Sequence, residues 1–182
     1  MLIQVLENWY LKSKTSVKWK EIFSNKVSLK SGVRQGGILS PVLFSIYVDT
    51  LLNELSASDL GCNINGKCMN SFMYADDLTI ISASLYDLQI MLDKCSNIFS
   101  KLDLPVNEAK SQCLRIGQRW QEHCEMLYMN DAKIEWVIKA KFLGIYISAG
   151  KIFKCDWSNN KKKFYISLNT ILGRLRSCSP YV

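Results

Sequence analysis

Two adjacent carboxylates, Asp76 and Asp77, stand in the middle of the apolar, β-prone stretch FMYADDLTII at residues 72–81. Charge is costly to bury in such a run. The two acids also repel each other unless solvent, a base or a metal stabilises them. Hard oxygen ligands at a rigid bend suit Mg²⁺, which takes one or two carboxylates and fills its remaining positions with water and substrate phosphate. An ordinary solvated turn would accommodate the same dipeptide. The second candidate is GVRQGGILSPVLF, residues 32–44. Gly36 and Gly37 lack side chains, so backbone can come close to a ligand just ahead of a helix N-terminus, a setting that favours phosphate. Arg34 can pair with a phosphate beside it. A plain helix-entry loop would not by itself ask for Arg-Gln in front of the glycines.

The elements around these residues follow from periodicity and punctuation. Residues 1–30 combine a short apolar helix-like start with a Lys-rich stretch ending in the strand-like KVSLKSG. Ser40 and Pro41 are placed as N-cap and first helical residue. Val42, Leu43, Ile46, Leu51, Leu52 and Leu55 then predict a helix of about four turns. Asp49 falls on its polar face. Residues 61–66 are turn-rich, and the segments either side of Asp76 read as two short strands with the acids at their bend. Ser84 and Asp87 form a capping box for a second helix, whose Leu88, Leu92, Cys95, Phe99 and Leu102 make a core face, and Pro105 ends it. KSQCLRIG reads as a strand, EMLYMNDAKIEWVI as a hairpin around Asn130 and Asp131, KFLGIYIS as one more strand, and the tail as a helix. The sum is a mixed α+β domain with a helical end piece, without internal repeats.

Composition excludes several classes. With 182 residues, 48% hydrophobic and 21% charged, the chain is ordinary globular protein. Its longest apolar run, Ile38 to Val48, is broken by Ser and Pro and falls short of a membrane span. The start carries Glu7 within its apolar part and has no basic region ahead of it, so it does not read as a signal peptide. The expected setting is therefore intracellular. The seven cysteines (Cys62, Cys68, Cys95, Cys113, Cys124, Cys155, Cys178) are scattered and never spaced C-x-x-C, which fits reduced thiols. His123 beside Cys124 is too little for a four-ligand zinc site.

The net charge of +7 is concentrated near the end of the chain. From Lys139 to Arg176 nine basic residues face one acid, Asp156. Interleaved with Phe153, Trp157, Phe164 and Tyr165, they make a surface suited to a phosphate backbone, although a solvated basic helix face would read alike.

GVRQGGILSPVLF, YADD (Tyr74–Asp77), NEAKS (Asn107–Ser111) and KFLG (Lys141–Gly144) occur in the order and approximate spacing of reverse transcriptases, and the chain resembles those of non-LTR retrotransposons. The Arg before Gln-Gly-Gly and the Leu-Phe after Leu-Ser-Pro are closer to that branch than to group II intron enzymes. The resemblance covers about residues 28–147. It implies a palm-type antiparallel sheet packed on helices over 1–147, lacking fingers and the first catalytic strand, with the start of a helical thumb in the basic segment 148–182. It further implies RNA-directed DNA polymerase chemistry with Mg²⁺ (or Mn²⁺), deoxynucleoside triphosphates as substrates, and an RNA template and DNA primer as partners.

Residue by residue, the resemblance makes Asp76 the principal metal ligand and Asp77 the auxiliary one. Tyr74 would lie near the primer end or incoming nucleotide, Gln35 would contact template base or nucleotide, and Arg34, Gly36 and Gly37 belong to the same nucleotide and template loop. Lys110 would lie near the leaving pyrophosphate. Phe142, Leu143 and Gly144 match the primer grip, and Lys161, Lys162 and Lys163 the nucleic-acid backbone contacts of the thumb.

One departure stands against these matches. The family's other metal-binding aspartate precedes the glycine loop, and this sequence has no aspartate before Asp49; Glu7 and Glu21 are the acids there. Two-metal chemistry needs carboxylates from both strands. Residues 1–182 alone are therefore expected to be inactive, a fragment needing the N-terminal part of the same polyprotein. A catalytically dead or co-opted relic that at most binds RNA or template-primer is the alternative. No membrane partner is expected, and the expected intracellular setting is the nucleus or the cytoplasm, as a ribonucleoprotein, with the sequence not deciding between them.

Overall fold

A computed structural model describes residues 2–30 and 32–175. Arg176 and Cys178, named above, lie outside the described residues. The chain forms two compact units, Met1–Thr50 with Met73–Leu78, and Leu51–Phe72 with Thr79–Val182.

The first unit begins with helix α1 (Leu2–Leu11). Four two-residue strands follow: β1 (Lys14–Thr15), β2 (Lys18–Trp19), β3 (Ile22–Phe23) and β4 (Val27–Ser28). They nest as hairpins, β2 against β3 and β1 against β4, both antiparallel. KVSLKSG thus becomes a strand only at Val27–Ser28. Ser13 secures the end of α1: its hydroxyl donates to the Trp9 carbonyl at 3.0 Å and its carbonyl accepts the Leu29 amide at 3.0 Å. Around this frame Leu2, Ile3, Val5, Leu11, Trp19, Ile22 and Phe23 are exposed.

Helix α2 (Ser40–Ser56) forms as its periodicity predicts. Its apolar face is best covered in the C-terminal half: Val48, Leu51 and Leu55 are buried, whereas Leu43 is half-buried and Val42 and Ile46 are exposed. Asp49 is exposed, in keeping with a polar face.

In the second unit, β5 (Asn63–Ile64) and β6 (Lys67–Cys68) form a hairpin around Asn65-Gly66, both at positive φ (52° and 75°), as a tight two-residue turn requires. Strands β7 (Ser71–Tyr74) and β8 (Asp77–Ile80) pair next, with their tip, Met73–Leu78, counted in the first unit. Helix α3 (Leu85–Lys101) buries Met91, Leu92, Cys95, Ile98 and Phe99. Its N-cap is half of the expected box: the Ser84 hydroxyl accepts the Asp87 amide at 3.3 Å, but the Ser84 amide bonds the Ser82 hydroxyl rather than Asp87. Its end does not wait for Pro105. Asp103 takes φ 51°, its amide donates to the Ser100 carbonyl and that of Leu104 to Phe99, a Schellman closure with Asp where Gly is usual.

After a 3₁₀ turn at Glu108–Lys110 come β9 (Gln112–Cys113), β10 (Leu127–Met129) and β11 (Ala132–Trp136). KSQCLRIG therefore supplies one short strand, and β9 pairs parallel to β11, an exception to the antiparallel rule. The β10–β11 hairpin turns at Asn130-Asp131 as its sequence indicates, with φ 48° and 62°. KFLGIYIS is not one strand but two, β12 (Lys139–Phe142) and β13 (Ile145–Ser148), folded back at Leu143-Gly144. β14 (Lys154–Asp156) extends this sheet, and helix α4 (Ser158–Leu175) follows. Strand β13 runs across residue 147.

Helix α3 packs on β10, and Gln89 locks the two together by exchanging hydrogen bonds with the Tyr128 amide and carbonyl, both at 2.9 Å. Leu127, Met129 and Ile134 complete the buried set. Burial of each such side chain contributes roughly 1.5–3 kcal/mol, so this unit holds a genuine core. The α+β class stands, with six small sheets among the described residues. No described helix is long and apolar enough to cross a membrane.

Candidate active site

The carboxylate pair lies at a hairpin tip. Ala75 and Asp76 form the turn between β7 and β8, Ala75 at φ 52°, and Asp77 is the first residue of β8. Alternation along these strands puts Met73 and Leu78 inward while Tyr74, Asp76 and Asp77 are exposed. Neither acid takes part in a salt bridge among the described residues. Two exposed oxygen ligands of this kind suit one Mg²⁺, whose other positions go to water and phosphate. They do not make a two-ion set. Among the described residues no group of three or more His, Cys, Asp or Glu side chains is placed to hold a metal.

The hairpin's base is held by a residue that sequence reading missed. Asn70 is buried, and its amide donates to the Leu55 carbonyl at 2.5 Å and the Leu60 carbonyl at 3.2 Å, satisfying the end of α2. Its side-chain oxygen accepts the Ser71 hydroxyl, and its carbonyl accepts the Ile81 amide at 2.8 Å. A buried amide with every group paired fixes geometry, since any lost partner leaves an unsatisfied polar atom. Gly61 makes room for it: a Cβ there would lie 2.4 Å from the Asn70 Cβ.

The glycine loop shares the first unit with the acids. Arg34 to Gly37 form a turn, the Gly37 amide donating to the Arg34 carbonyl at 3.1 Å, and Gly36 takes φ 77°. That sign of φ at the third turn position is what selects glycine. Gly37 is needed for space instead: a Cβ would stand 2.7 Å from the Ser40 hydroxyl oxygen. Ser40 is not the N-cap. It is buried as the first residue of α2, and its hydroxyl donates to the Arg34 carbonyl at 2.5 Å, clasping the loop from behind. The Arg34 guanidinium lies 5.4 Å from the Trp9 ring centroid, over a pocket of about 330 Å³ lined by Trp9, Tyr10 and Gly37–Ser40. Gln35 is exposed.

The remaining candidates belong to the second unit. Lys110 closes the 3₁₀ turn that Asn107 caps at 3.1 Å, and Glu108 accepts a 2.7 Å hydrogen bond from Asn130 of the β10–β11 turn. That bond holds the Glu108 carboxyl below its ordinary range. Phe142 is half-buried, edge-on to Phe72 at 5.9 Å, while Leu143 and Gly144 form the exposed tip of β12–β13 at φ 46° and 81°. A bulky residue in the left-handed region costs roughly 1–2 kcal/mol, so Leu143 holds a strained turn. Lys161, Lys162 and Lys163 are exposed in the first turns of α4, where the helix dipole disfavours cations.

Among the described residues the cysteines join no cluster of three or more potential metal ligands. The six described ones are free thiols. Burial pushes Cys95 up to about 12 and Cys113 to about 11. Beside His123, Cys124 is bonded by the Arg115 guanidinium at 2.8 Å.

Known proteins give this arrangement its lineage. The chain matches the family Reverse transcriptase (RNA-dependent DNA polymerase) over residues 2–147. It is 29% identical over 168 residues to the Retrovirus-related Pol polyprotein from type-2 retrotransposable element R2DM of Drosophila melanogaster, covering 85% of the chain and 15% of that protein. It is 32% identical over 174 residues to the Retrovirus-related Pol polyprotein from type-1 retrotransposable element R2 of Popillia japonica, covering 84% of the chain and 29% of that protein. The chain thus spans less than a third of either relative. It belongs to the reverse transcriptase family, on the branch of the non-LTR retrotransposons.

Proposed function

We propose that this chain is the palm, with the root of the thumb, of an RNA-directed DNA polymerase that extends a DNA primer along an RNA template. The observation that carries the reading is the pair of exposed carboxylates at a hairpin tip, in one unit with a clasped glycine turn, in a chain of this family. Asp76 and Asp77 would hold Mg²⁺ or Mn²⁺. Bound there, the metal would sharpen the primer 3′-hydroxyl and steady the triphosphate and its departing pyrophosphate.

The chain's own residues bind and orient. The Arg34–Gly37 turn and Gln35 receive the deoxynucleoside triphosphate and template base, with Tyr74 beside the primer end. Lys110 neutralises charge on the leaving group. Phe142, Leu143 and Gly144 hold the primer, and Lys161–Lys163 follow the duplex backbone. A two-ion set needs a further carboxylate, which we assign to the polyprotein outside residues 1–182. By itself the chain would not extend a primer. The active assembly would be intracellular, in a ribonucleoprotein with its template.

Primer extension by a polyprotein containing this segment tests the reading. Asp76→Ala abolishes extension and leaves template–primer binding intact; extension at the unsubstituted rate would sink the assignment.

A further inference from the structure

The sheet β12–β13–β14 has two chemically distinct faces. Register places Lys139 opposite Ser148, Lys141 opposite Tyr146, and Tyr146 opposite Asp156, so these side chains share one face. Ala140, Phe142, Ile145, Ile147 and Cys155 share the other. Asp156 is the acid of the polar face, and both of its oxygens are engaged. Oδ2 accepts the Lys139 ammonium at 2.5 Å, and Oδ1 accepts the Ser158 amide, the first of α4, at 2.9 Å. The Lys139 ammonium also lies 4.8 Å from the Tyr146 ring centroid. One carboxylate therefore ties the strand leading into Phe142–Gly144 to the start of the helix bearing Lys161–Lys163.

Helix electrostatics add a second reason for Asp156. The first turn of α4 contains no acid, and three lysines follow it directly. The Asp156 carboxylate is the negative charge at that positive helix end. An exposed ion pair adds little stability; its value here is direction.

We propose that Asp156 is a positioning residue for nucleic-acid binding: by holding Lys139 and the first amide of α4 together, it sets the course on which Lys161–Lys163 leave the primer-grip sheet. The inference rests on the reading that the chain engages template–primer.

Charge alone and positioning predict opposite signs for one substitution. Asp156→Asn keeps an acceptor for the Ser158 amide but loses the grip on Lys139. Removing a negative charge beside phosphates should tighten binding by the full 182-residue chain if charge alone matters. Positioning instead predicts about fivefold weaker binding to an RNA–DNA template–primer, roughly 1 kcal/mol by the affinity relation. Lys139→Gln should weaken it too, and the double variant should bind no worse than the weaker single variant. Tighter or unchanged binding by Asp156→Asn, or additive losses in the double variant, would overturn the proposal.

Amide exchange at residues 158–162, measured without nucleic acid, separates this idea from its foundation. If the unsubstituted chain binds no template–primer, the functional reading fails. The latch is then judged on exchange alone: faster exchange in both single variants supports it, and unchanged exchange refutes it.

Discussion

The two units differ in where their apolar residues go. Among the described residues, Val48 is the buried hydrophobic of the first unit, while Leu51, Leu55, Met91, Leu92, Cys95, Ile98, Phe99, Leu127, Met129 and Ile134 belong to the second. Yet the first unit carries the acid pair and the glycine turn. The proposed metal and nucleotide residues thus sit on the part with least core of its own, while within the other part Asn70 ties the end of α2 to the Ile81 amide. Low-stability regions are where ligand-binding loops are commonly found.

Core substitutions should break this contrast most sharply. Leu55→Ala should cost about 2–5 kcal/mol in chemical denaturation, whereas Val42→Ala, on the exposed half of the same helix, should stay within about 0.5 kcal/mol. Equal losses would mean that the first unit is packed as tightly as the second. Asn70→Ala comes next. It strands the Leu55 and Leu60 carbonyls and should cost roughly 1–3 kcal/mol, with faster amide exchange at Ile81. At the strained turn, Leu143→Asn should raise stability by up to about 1 kcal/mol, and no gain would show that the turn is not paying for its leucine.

Smaller effects sharpen the picture without unfolding anything. Lys139 first, then Ser158, hold the Asp156 carboxyl well below its ordinary 3.8. A carboxyl depressed in the folded state contributes stability that is complete above its unfolded value and is lost only as pH falls from there through the folded value. Protection of the α4 amides should therefore be flat from about pH 8 to pH 5 and decline only in stronger acid; loss near neutrality would contradict the Lys139 pairing. Thiol labelling should reach exposed Cys68 well before Cys95 and Cys113, whose burial disfavours the reactive thiolate.

Periodic features were legible in the sequence. The helices α2 and α3, the hairpin around Asp76 and the hairpin around Asn130 all follow from apolar spacing and turn residues. The misread features depend on partners distant in sequence or on unusual residues in a common conformation. Asn70 looks like any polar residue until the end of α2 arrives beside it. Asp103 and Leu143 occupy positions where glycine or asparagine would have announced a turn. Ser40 beside Pro41 has the pattern of an N-cap, and only the fold of residues 34–37 turns its hydroxyl backward. The place of Asp76 and Asp77 at a bend between two strands was readable from type and spacing, whereas the clasp behind Arg34 was not.

That clasp constrains which sequences can occupy the loop. Because a methyl at position 37 would collide with the Ser40 oxygen, the two positions are interdependent: giving up the hydroxyl at position 40 removes the closest contact of an alanine at 37 and leaves the Arg34 carbonyl, 3.2 Å away, to yield by a few tenths of an ångström. A library randomised at both sites should recover Gly with Ser, and Ala with Ala, far more often than Ala with Ser. The loop would then drift through sequence space by paired steps, with Gly37→Ala harmful or tolerated according to its neighbour's identity.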